Sequence, residues 1–367
     1  MPRVSVIMPS YNHAAFIKES IDSILSQTFD DFELIVVDDG SKDVSNTIIS
    51  EIKDPRLHHI PLEFNVGACE AMNIALSNCT GEYIGVCNSD DIWEKHKLAR
   101  QVATIEQMPE VAAIFSDVTW INDAGKSLEG HEAPHFSTIF AQANRSRFGW
   151  IRRLIEDGNC LCHPSVLIRR SVFQEVGNYD NYLRQLPDLD MWLRVVQRFD
   201  IHVLPDKLLR FRVHAKNTSK QDEVNRKRTW REHVLIANDF FRSVSPSNFY
   251  GAFGATNPTY LRSSCEKTLL REKAAYLTSA QCPFHELFHK IAIAILYEGK
   301  RCYGNDLISA LDFQKLTAAV NDSVHEPVLQ PKDGVLRRVL GDTIYQKMRL
   351  LNRKRKERRR MRKTQTS

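Results

Sequence analysis

The sequence lacks any long run of apolar residues. Its longest apolar stretches, such as Val4 to Met8 and Ile291 to Leu296, are far shorter than the roughly 20 residues that a helix needs to cross a bilayer. The N-terminal residues also lack the apolar segment and the small-residue cleavage site of a secretory signal. We therefore expect a cytoplasmic protein without a transmembrane helix.

Cysteine is sparse and follows no pattern. Eight cysteines in 367 residues form no CxxC pair and no regular spacing, so we expect free thiols in a reducing compartment. The glycine pattern of dinucleotide-binding folds is also absent from the first predicted strand and helix, which argues against hydride transfer. With 43% apolar residues, the chain is long enough for one large domain and a smaller appended region.

The basic charge is concentrated at the C-terminus. Arg353 to Lys363 contains nine basic residues and one acidic residue in a chain whose net charge is +5, so the remainder is slightly acidic. Directly before this run, apolar residues from Val335 to Leu351 recur at helical spacing. This combination favours docking on an anionic membrane surface, and a solvated tail is the alternative. No aromatic platform accompanies the charge, so we expect no nucleic-acid partner.

Short apolar segments alternate with helix-patterned segments through about the first hundred residues. This alternation predicts parallel βαβ units in an α/β fold. From about residue 222 the pattern is helical only. We therefore predict an α/β domain over residues 1–220, a helical appended region over 221–330, and an amphipathic, polybasic tail over 331–367.

A polar motif follows each of the first four predicted strands. Ligands of open parallel sheets bind outside the carboxyl ends of the strands, so these motifs would face one crevice. Each motif alone is also typical of turns and helix caps, but four at one sheet edge indicate a binding site. The motifs are Pro9-Ser10-Tyr11-Asn12, Asp38-Asp39-Gly40-Ser41, Asn65-Val66-Gly67 and Asn88-Ser89-Asp90-Asp91.

Taken in order with Pro187-Asp-Leu-Asp-Met-Trp-Leu-Arg194 and Arg212-Val-His214, these motifs resemble those of family 2 inverting glycosyltransferases. The resemblance covers about residues 2 to 215. It implies a GT-A nucleotide-sugar transferase fold with a mostly parallel central sheet. It also implies a metal-dependent enzyme of the hexosyltransferase type, which moves a sugar from a nucleotide-diphospho-sugar to an acceptor hydroxyl with inversion. A saccharide or lipid-linked acceptor in cell-surface polysaccharide or glycolipid assembly would suit such an enzyme.

The resemblance places the donor nucleotide at the first strand ends. A carboxylate there can accept a hydrogen bond from a base N–H, and an aromatic ring can pack against the base or ribose. We interpret Asp38 as a strand-end or capping residue and prefer Asp39 for the base. The residues expected to bind the donor are Pro9, Tyr11, Asn12, Asp39, Asn65, Gly67, Asn88 and Ser89.

The fourth strand end resembles the family's metal motif. Asp90 would bind a divalent cation, Mn²⁺ or Mg²⁺, that bridges the diphosphate, and His214 is expected as a second metal ligand. Asn88 stands where the family usually has its first aspartate. This departure leaves a non-catalytic nucleotide-sugar binding or scaffolding protein of the same fold as the alternative function.

Asp188 falls where the family has its catalytic base. Such a carboxylate takes the proton of the acceptor hydroxyl during the displacement. Pro187, where the family usually has Glu, suits the first turn of a helix. Asp190 is interpreted as a helix-start charge. Far from this segment, His285-Glu-Leu-Phe-His289 matches a zinc-protease pattern but has no supporting third ligand, so we interpret it as part of an ordinary helix.

Overall fold

The computed structural model describes residues 1–215, 217, 222–254 and 265–319. The predicted tail over 331–367, with its expected membrane contact, lies outside the described residues. The chain forms two compact units. One contains residues 1–154 and 158–220, and the other contains residues 155–157 and the chain from 221 onward.

The first unit is built on an eight-stranded sheet with the strand order β3-β2-β1-β4-β7-β6-β8-β5. Six strands run in one direction, and only β5 and β7 run the opposite way. The carboxyl ends of those six strands therefore meet at the same edge of the sheet. The strands are β1 (Val4–Ser10), β2 (Phe32–Asp38), β3 (Leu57–Pro61), β4 (Tyr83–Val86), β5 (Ile92–Trp93), β6 (Val111–Ile121), β7 (Leu167–Arg169) and β8 (Asp200–Arg212).

Seven helices accompany this sheet. In the first of them, Ile17, Ile21 and Ile24 recur at helical spacing and are buried in the core, together with alternate residues of β1 and β2. β1 itself is buried on both faces, as expected for a central parallel strand. The helices are α1 (Ile17–Leu25), α2 (Ser45–Glu51), α3 (Ala68–Ser77), α4 (Lys97–Gln107), α5 (Arg147–Asp157), α6 (Arg170–Val176) and α7 (Pro187–Val196).

The predicted α/β class with a mostly parallel sheet is confirmed, and the structure adds features that the pattern did not predict. α5 lies in a stretch without clear periodicity, and β7 inserts antiparallel between β4 and β6. The apolar runs at 202–204 and 208–213 belong to one strand, β8. Its pairing with β6 shifts register between Leu204 and Lys207. A bulge at the intervening Pro205 and Asp206 breaks the alternation that marks a continuous strand.

The second unit is helical among its described residues. Its interior contains a group of packed rings, in which Tyr276 lies 4.3 Å from Phe253 and 6.2 Å from Phe288 between ring centroids. None of the described helices is long and apolar enough to cross a membrane. The helices are α8 (Glu223–Ser243), α9 (Pro246–Phe253), α10 (Glu266–Ser279), α11 (His285–Tyr303) and α12 (Ala310–Ala319).

A lysine is fully buried at the start of α4. The Nζ atom of Lys97 donates to Gln101 Oε1 at 2.7 Å and lies 3.8 Å from the centroid of the Trp93 ring. Gln101 Nε2 in turn donates to the carbonyl of Ser165 at 2.7 Å. Burial lowers the pKa of Lys97 to about 7, because the charged form loses its hydration.

We predict that Lys97 makes the stability of the protein rise with pH. Between about pH 7 and 10.5 the unfolded chain holds a proton on this lysine that the folded chain has released. The free energy of unfolding should therefore rise across this window by an amount on the order of 4 kcal/mol. Urea denaturation from pH 7 to 10 should show the rise in the wild type and its loss in Lys97→Met. Lys95→Met, at an exposed neighbour, should keep the wild-type slope. Equal slopes for Lys97→Met and the wild type would contradict the prediction.

Candidate functional site

Asn12 connects the end of β1 to the turn that follows β2. Its backbone N–H donates to Ser41 Oγ at 2.9 Å, and its Oδ1 accepts from the backbone N–H of Lys42 at 2.7 Å. Asn12 has a φ of 55°, a left-handed conformation that asparagine tolerates better than most residues. The predicted contact of Asn12 with the nucleotide-sugar donor would therefore have to form alongside these hydrogen bonds to Ser41 and Lys42. The neighbouring Tyr11 is 42% exposed at this edge, and Pro9 lies within β1.

Asp39 holds the loop between β3 and α3. Its Oδ1 accepts from the N–H of Val66 at 2.6 Å, and its Oδ2 accepts from that of Gly67 at 3.1 Å. Gly67 has a φ of 97°, which favours glycine, and Asn65 lies exposed in the same loop. Burial raises the pKa of Asp39 above its ordinary value. The carboxylate thus brings two strand ends together, and its contact with a nucleobase stays a prediction.

Asn88 is a hydrogen-bond donor to a buried carboxylate. Its Nδ2 donates to Asp91 Oδ2 at 3.0 Å, while Asp91 Oδ1 accepts from the backbone N–H of Arg212 at 2.8 Å. Asp91 is 1% exposed, and burial together with the adjacent charge of Asp90 raises its pKa well above the ordinary value. A carboxylate at position 88 could not make this donation unless it were protonated. The departure from the family motif therefore has a local structural reason.

Three ligating side chains converge next to this turn. His214 Nε2 lies 2.9 Å from Asp90 Oδ2, and one ligand atom from each of His13, Asp90 and His214 lies within 4.8 Å of the others. His13 Nδ1 is bonded to Ser89 Oγ at 2.7 Å. Among the described residues, this is the one group of three or more potential metal ligands. We did not predict His13, although its position directly after the Tyr11-Asn12 motif was a usable signal.

The separation of His214 and Asp90 fits two ligands that share a divalent cation. Two ligands that share a cation at about 2.1 Å are expected to lie about 3 Å apart, which is close to the distance between His214 and Asp90. His214 and Asp90 have side chains that are 2% and 9% exposed. The bond between Nδ1 of His13 and Ser89 Oγ orients the imidazole ring beside the other two side chains.

Arg212 and Asn217 support this cluster. The guanidinium of Arg212 is buried and donates from Nε to the carbonyl of Asp90 at 2.8 Å and from Nη2 to Glu19 Oε2 at 2.6 Å. Asn217 Nδ2 lies 3.4 Å from Asp90 Oδ2, and Asn217 Oδ1 accepts from the backbone N–H of His214 at 2.5 Å. Both residues therefore fix the position of the two predicted metal ligands.

Asp188 belongs to a second network at the start of α7. Its Oδ1 accepts from the N–H of Leu189 at 2.8 Å, and its Oδ2 accepts from Asn159 Nδ2 at 2.6 Å. Asp190 instead pairs with Arg194, with Oδ2 at 2.7 Å from Nη2. The two aspartates thus have different partners.

Comparison with known proteins gives a family. The sequence model of the family described as "Glycosyl transferase family 2" matches residues 5–177. TuaG of Bacillus subtilis, named as a candidate teichuronic acid biosynthesis glycosyltransferase, is 31% identical over 233 residues, which are 62% of this chain and 86% of TuaG. An uncharacterized glycosyltransferase of Rickettsia felis is 31% identical over 224 residues, 60% of this chain but 36% of that protein. The chain thus spans about a third of the Rickettsia felis relative.

Solved structures show the same fold. TarS of S. aureus (residues 1–349) superposes with a TM-score of 0.52 at 17% identity, covering 86% of this chain and 90% of TarS. The mannosyltransferase PcManGT of Pyrobaculum calidifontis gives a TM-score of 0.50 at 20% identity, covering 89% and 88%. The architecture is that of a GT-A glycosyltransferase. The chain belongs to glycosyl transferase family 2, which confirms the resemblance inferred from the sequence.

We predict that Asn88→Asp, which restores the family's usual residue, destabilises this protein. The substitution replaces a donor with a carboxylate beside Asp91, which should lower the free energy of unfolding at pH 7 by about 1 to 3 kcal/mol. The deficit should shrink at pH 5, because one of the two carboxyl groups then takes up a proton. Urea denaturation at both pH values measures this effect, with Asn46→Asp at an exposed position of α2 as the control. A stability unchanged by Asn88→Asp at both pH values would contradict the interpretation.

Proposed function

We propose that the chain is a metal-dependent, inverting glycosyltransferase, which uses a nucleotide-diphospho-sugar donor. The observation that carries this proposal is the convergence of His13, Asp90 and His214 at the carboxyl edge of the sheet. Nucleotide ligands of open α/β sheets bind at that edge. The strand ends that carry Tyr11 and Asp39 belong to the same edge, so donor and metal residues can act on one ligand.

Similar proteins support the class of donor. TarS has been solved in complex with UDP and with UDP-GlcNAc, and PcManGT with GDP-Man and Mn²⁺. We propose a nucleoside diphosphate sugar as the donor here, bound through Pro9, Tyr11, Asn12 and Asp39 and through Asn65, Gly67, Asn88 and Ser89. The exposed ring of Tyr11 offers a surface against which a base can pack.

The cation of this site would be held by His13, Asp90 and His214. Two imidazole ligands favour a transition ion such as Mn²⁺ over Mg²⁺, which prefers oxygen ligands. When bound, the cation supplies positive charge that stabilises the leaving diphosphate.

Asp188 is proposed as the base of a direct displacement. Its carboxylate takes the proton of the acceptor hydroxyl while the acceptor oxygen bonds to the anomeric carbon of the sugar. The bond from that carbon to the diphosphate oxygen breaks, and its electron pair leaves with the nucleoside diphosphate. Attack from the side opposite the leaving group inverts the anomeric centre.

The acceptor is proposed to be a saccharide or lipid-linked glycan in cell-surface polysaccharide or glycolipid assembly. The name of TuaG, which refers to teichuronic acid biosynthesis, supports this choice. We propose that the protein acts in the cytoplasm, peripherally at the inner face of the membrane, which is where such acceptors would be presented.

The alternative function, a non-catalytic nucleotide-sugar binding protein, was suggested by Asn88. The bond from Asn88 to Asp91 weakens that alternative, because it gives the asparagine a role in an intact site. Asp90 and its two histidine neighbours do not depend on a carboxylate at position 88. The catalytic interpretation is therefore preferred.

We predict that Asp90→Ala and His13→Ala each remove the Mn²⁺-dependent part of nucleotide binding. Loss of a ligand should weaken the metal-dependent affinity for UDP or GDP by on the order of 10- to 100-fold, measured by calorimetry with and without Mn²⁺. His58→Ala is the matched control, since His58 lies near the start of β3, away from the edge where the strands end. If His13→Ala kept the full Mn²⁺ enhancement, His13 would not be a ligand of the cation. The same result for Asp90→Ala would place the cation site elsewhere.

We predict that Asp188→Asn abolishes transfer but not donor binding. An asparagine cannot take a proton, so turnover should fall by about 10² to 10⁴ while the donor affinity stays near that of the wild type. Release of UDP or GDP from the donor, with water or a sugar as acceptor, measures turnover. Asp190→Asn is the control, because Asp190 pairs with Arg194 on the same helix, and it should keep most of the turnover. Loss in Asp190→Asn with normal turnover in Asp188→Asn would assign the base to Asp190.

A further inference from the structure

We propose that Asn159 is a positioning residue for the base, orienting the carboxylate of Asp188 and favouring its charged form. This inference rests on the proposed function, in which Asp188 takes the proton of the acceptor. Asn159 was not among the residues that the sequence singled out. It lies 29 residues before Asp188, and the structure joins the two side chains at 2.6 Å.

The orientation of the Asn159 amide is fixed by its two partners. Its Oδ1 accepts from the backbone N–H of Leu161 at 3.0 Å, and only an oxygen can accept that bond. The NH₂ group must therefore point at Asp188 Oδ2 and donate to it. An amide with the opposite orientation would lose both bonds.

The chain geometry delivers Asn159 to this point. α5 ends at Asp157, and Gly158 follows with a φ of 84°, a left-handed conformation that turns the chain out of the helix. The two residues after Asn159, Cys160 and Leu161, are buried and anchor the segment. Asn159 therefore lies between the turn at Gly158 and a buried segment, which together position its side chain.

The bond to Asn159 restrains the carboxylate of Asp188 on one side. The other oxygen accepts from the N–H of Leu189 in the first turn of α7. These two bonds hold both carboxylate oxygens and so restrain rotation of the carboxylate about its own axis.

The hydrogen-bond donor that Asn159 contributes to Asp188 is neutral. A hydrogen bond to the charged form favours that form, while a paired lysine or arginine would lower the proton affinity much further. One ionisable group near this carboxylate is Tyr179 on the preceding loop, and the Asp190 and Arg194 pair lies on the same helix, α7. Tyr179 is bonded to His163 at 2.8 Å. Substitution of Asn159 leaves the side chains of His163, Tyr179, Asp190 and Arg194 in place. A change in the titration of Asp188 in an Asn159 variant therefore reports on Asn159.

Two substitutions separate positioning from a merely structural role. Asn159→Asp keeps an oxygen acceptor for Leu161 but removes the donor and places a second carboxylate against Asp188. Asn159→Ala removes both bonds. The matched control is Asn144→Asp. The amide of Asn144 also makes two hydrogen bonds, accepting from the N–H of Val203 at 2.7 Å and donating to its carbonyl at 3.0 Å, in a different segment of the chain.

The deciding experiment is a carboxyl ¹³C NMR titration of the full chain labelled at aspartate. The resonance that is missing in Asp188→Asn belongs to Asp188. Its titration midpoint should rise by about one pH unit or more in Asn159→Asp, and by less in Asn159→Ala. Asn144→Asp should leave it unchanged. A midpoint that matches the wild type in both Asn159 variants, with melting temperatures showing that both are folded, would overturn the proposal.

Turnover gives an independent measurement. The assay uses UDP-GlcNAc or GDP-mannose with Mn²⁺. We expect Asn159→Ala to lower kcat for donor hydrolysis about tenfold at an unchanged KM for the donor. We expect Asn159→Asp to shift the acid limb of the pH–rate profile to higher pH. If Asp188→Asn is inactive while both Asn159 variants hydrolyse donor like the wild type, the positioning role fails alone. Normal hydrolysis by Asp188→Asn would instead overturn the base assignment in the proposed function.

Discussion

One buried guanidinium holds together the carboxyl edge of the first unit. Arg212 ends β8 and donates to the carbonyl of Asp90, to the carboxylate of Glu19, and to the carbonyls of Asn122 and Asp123 at 3.1 and 2.8 Å. Arginine suits this position, because its planar fork presents several donors in fixed directions and stays charged when buried. Two residues further along the chain, His214 contacts Asp90, so the cluster of predicted metal ligands depends on where Arg212 fixes both segments.

Acidic residues are concentrated at this edge, and nearby hydrogen-bond donors stabilise their buried carboxylates. Burial of a carboxylate is unfavourable unless hydrogen bonds replace its hydration. Backbone N–H groups supply those bonds to Asp38 and Asp39, and Asn88 with the N–H of Arg212 supplies them to Asp91. The groups that would bind the donor and the metal are thus the groups that fold the strand ends together.

Helix α3 connects the loop between β3 and α3 to the segment that precedes α7. Its first turn follows Gly67, whose N–H is held by Asp39. One side chain of the same helix, Asn73, accepts from the N–H of Tyr179 at 3.1 Å and donates to the carbonyl of Tyr179 at 2.9 Å. Two loops that are distant in sequence are therefore fixed to one helix of ten residues.

The sequence by itself determined the α/β class, the first four strands and the polar residues at their ends. Those features depend on local periodicity and on turn chemistry, which neighbouring residues encode. Only the tertiary structure decided which distant side chains meet. It placed β7 antiparallel in the sheet, His13 beside Asp90, Asn88 against Asp91, and Asn159 against Asp188. The register of β8 was equally hidden, because its bulge interrupts the alternation of apolar residues. Contacts between segments that are far apart in the chain depend on the packing of whole elements, and no local pattern records them.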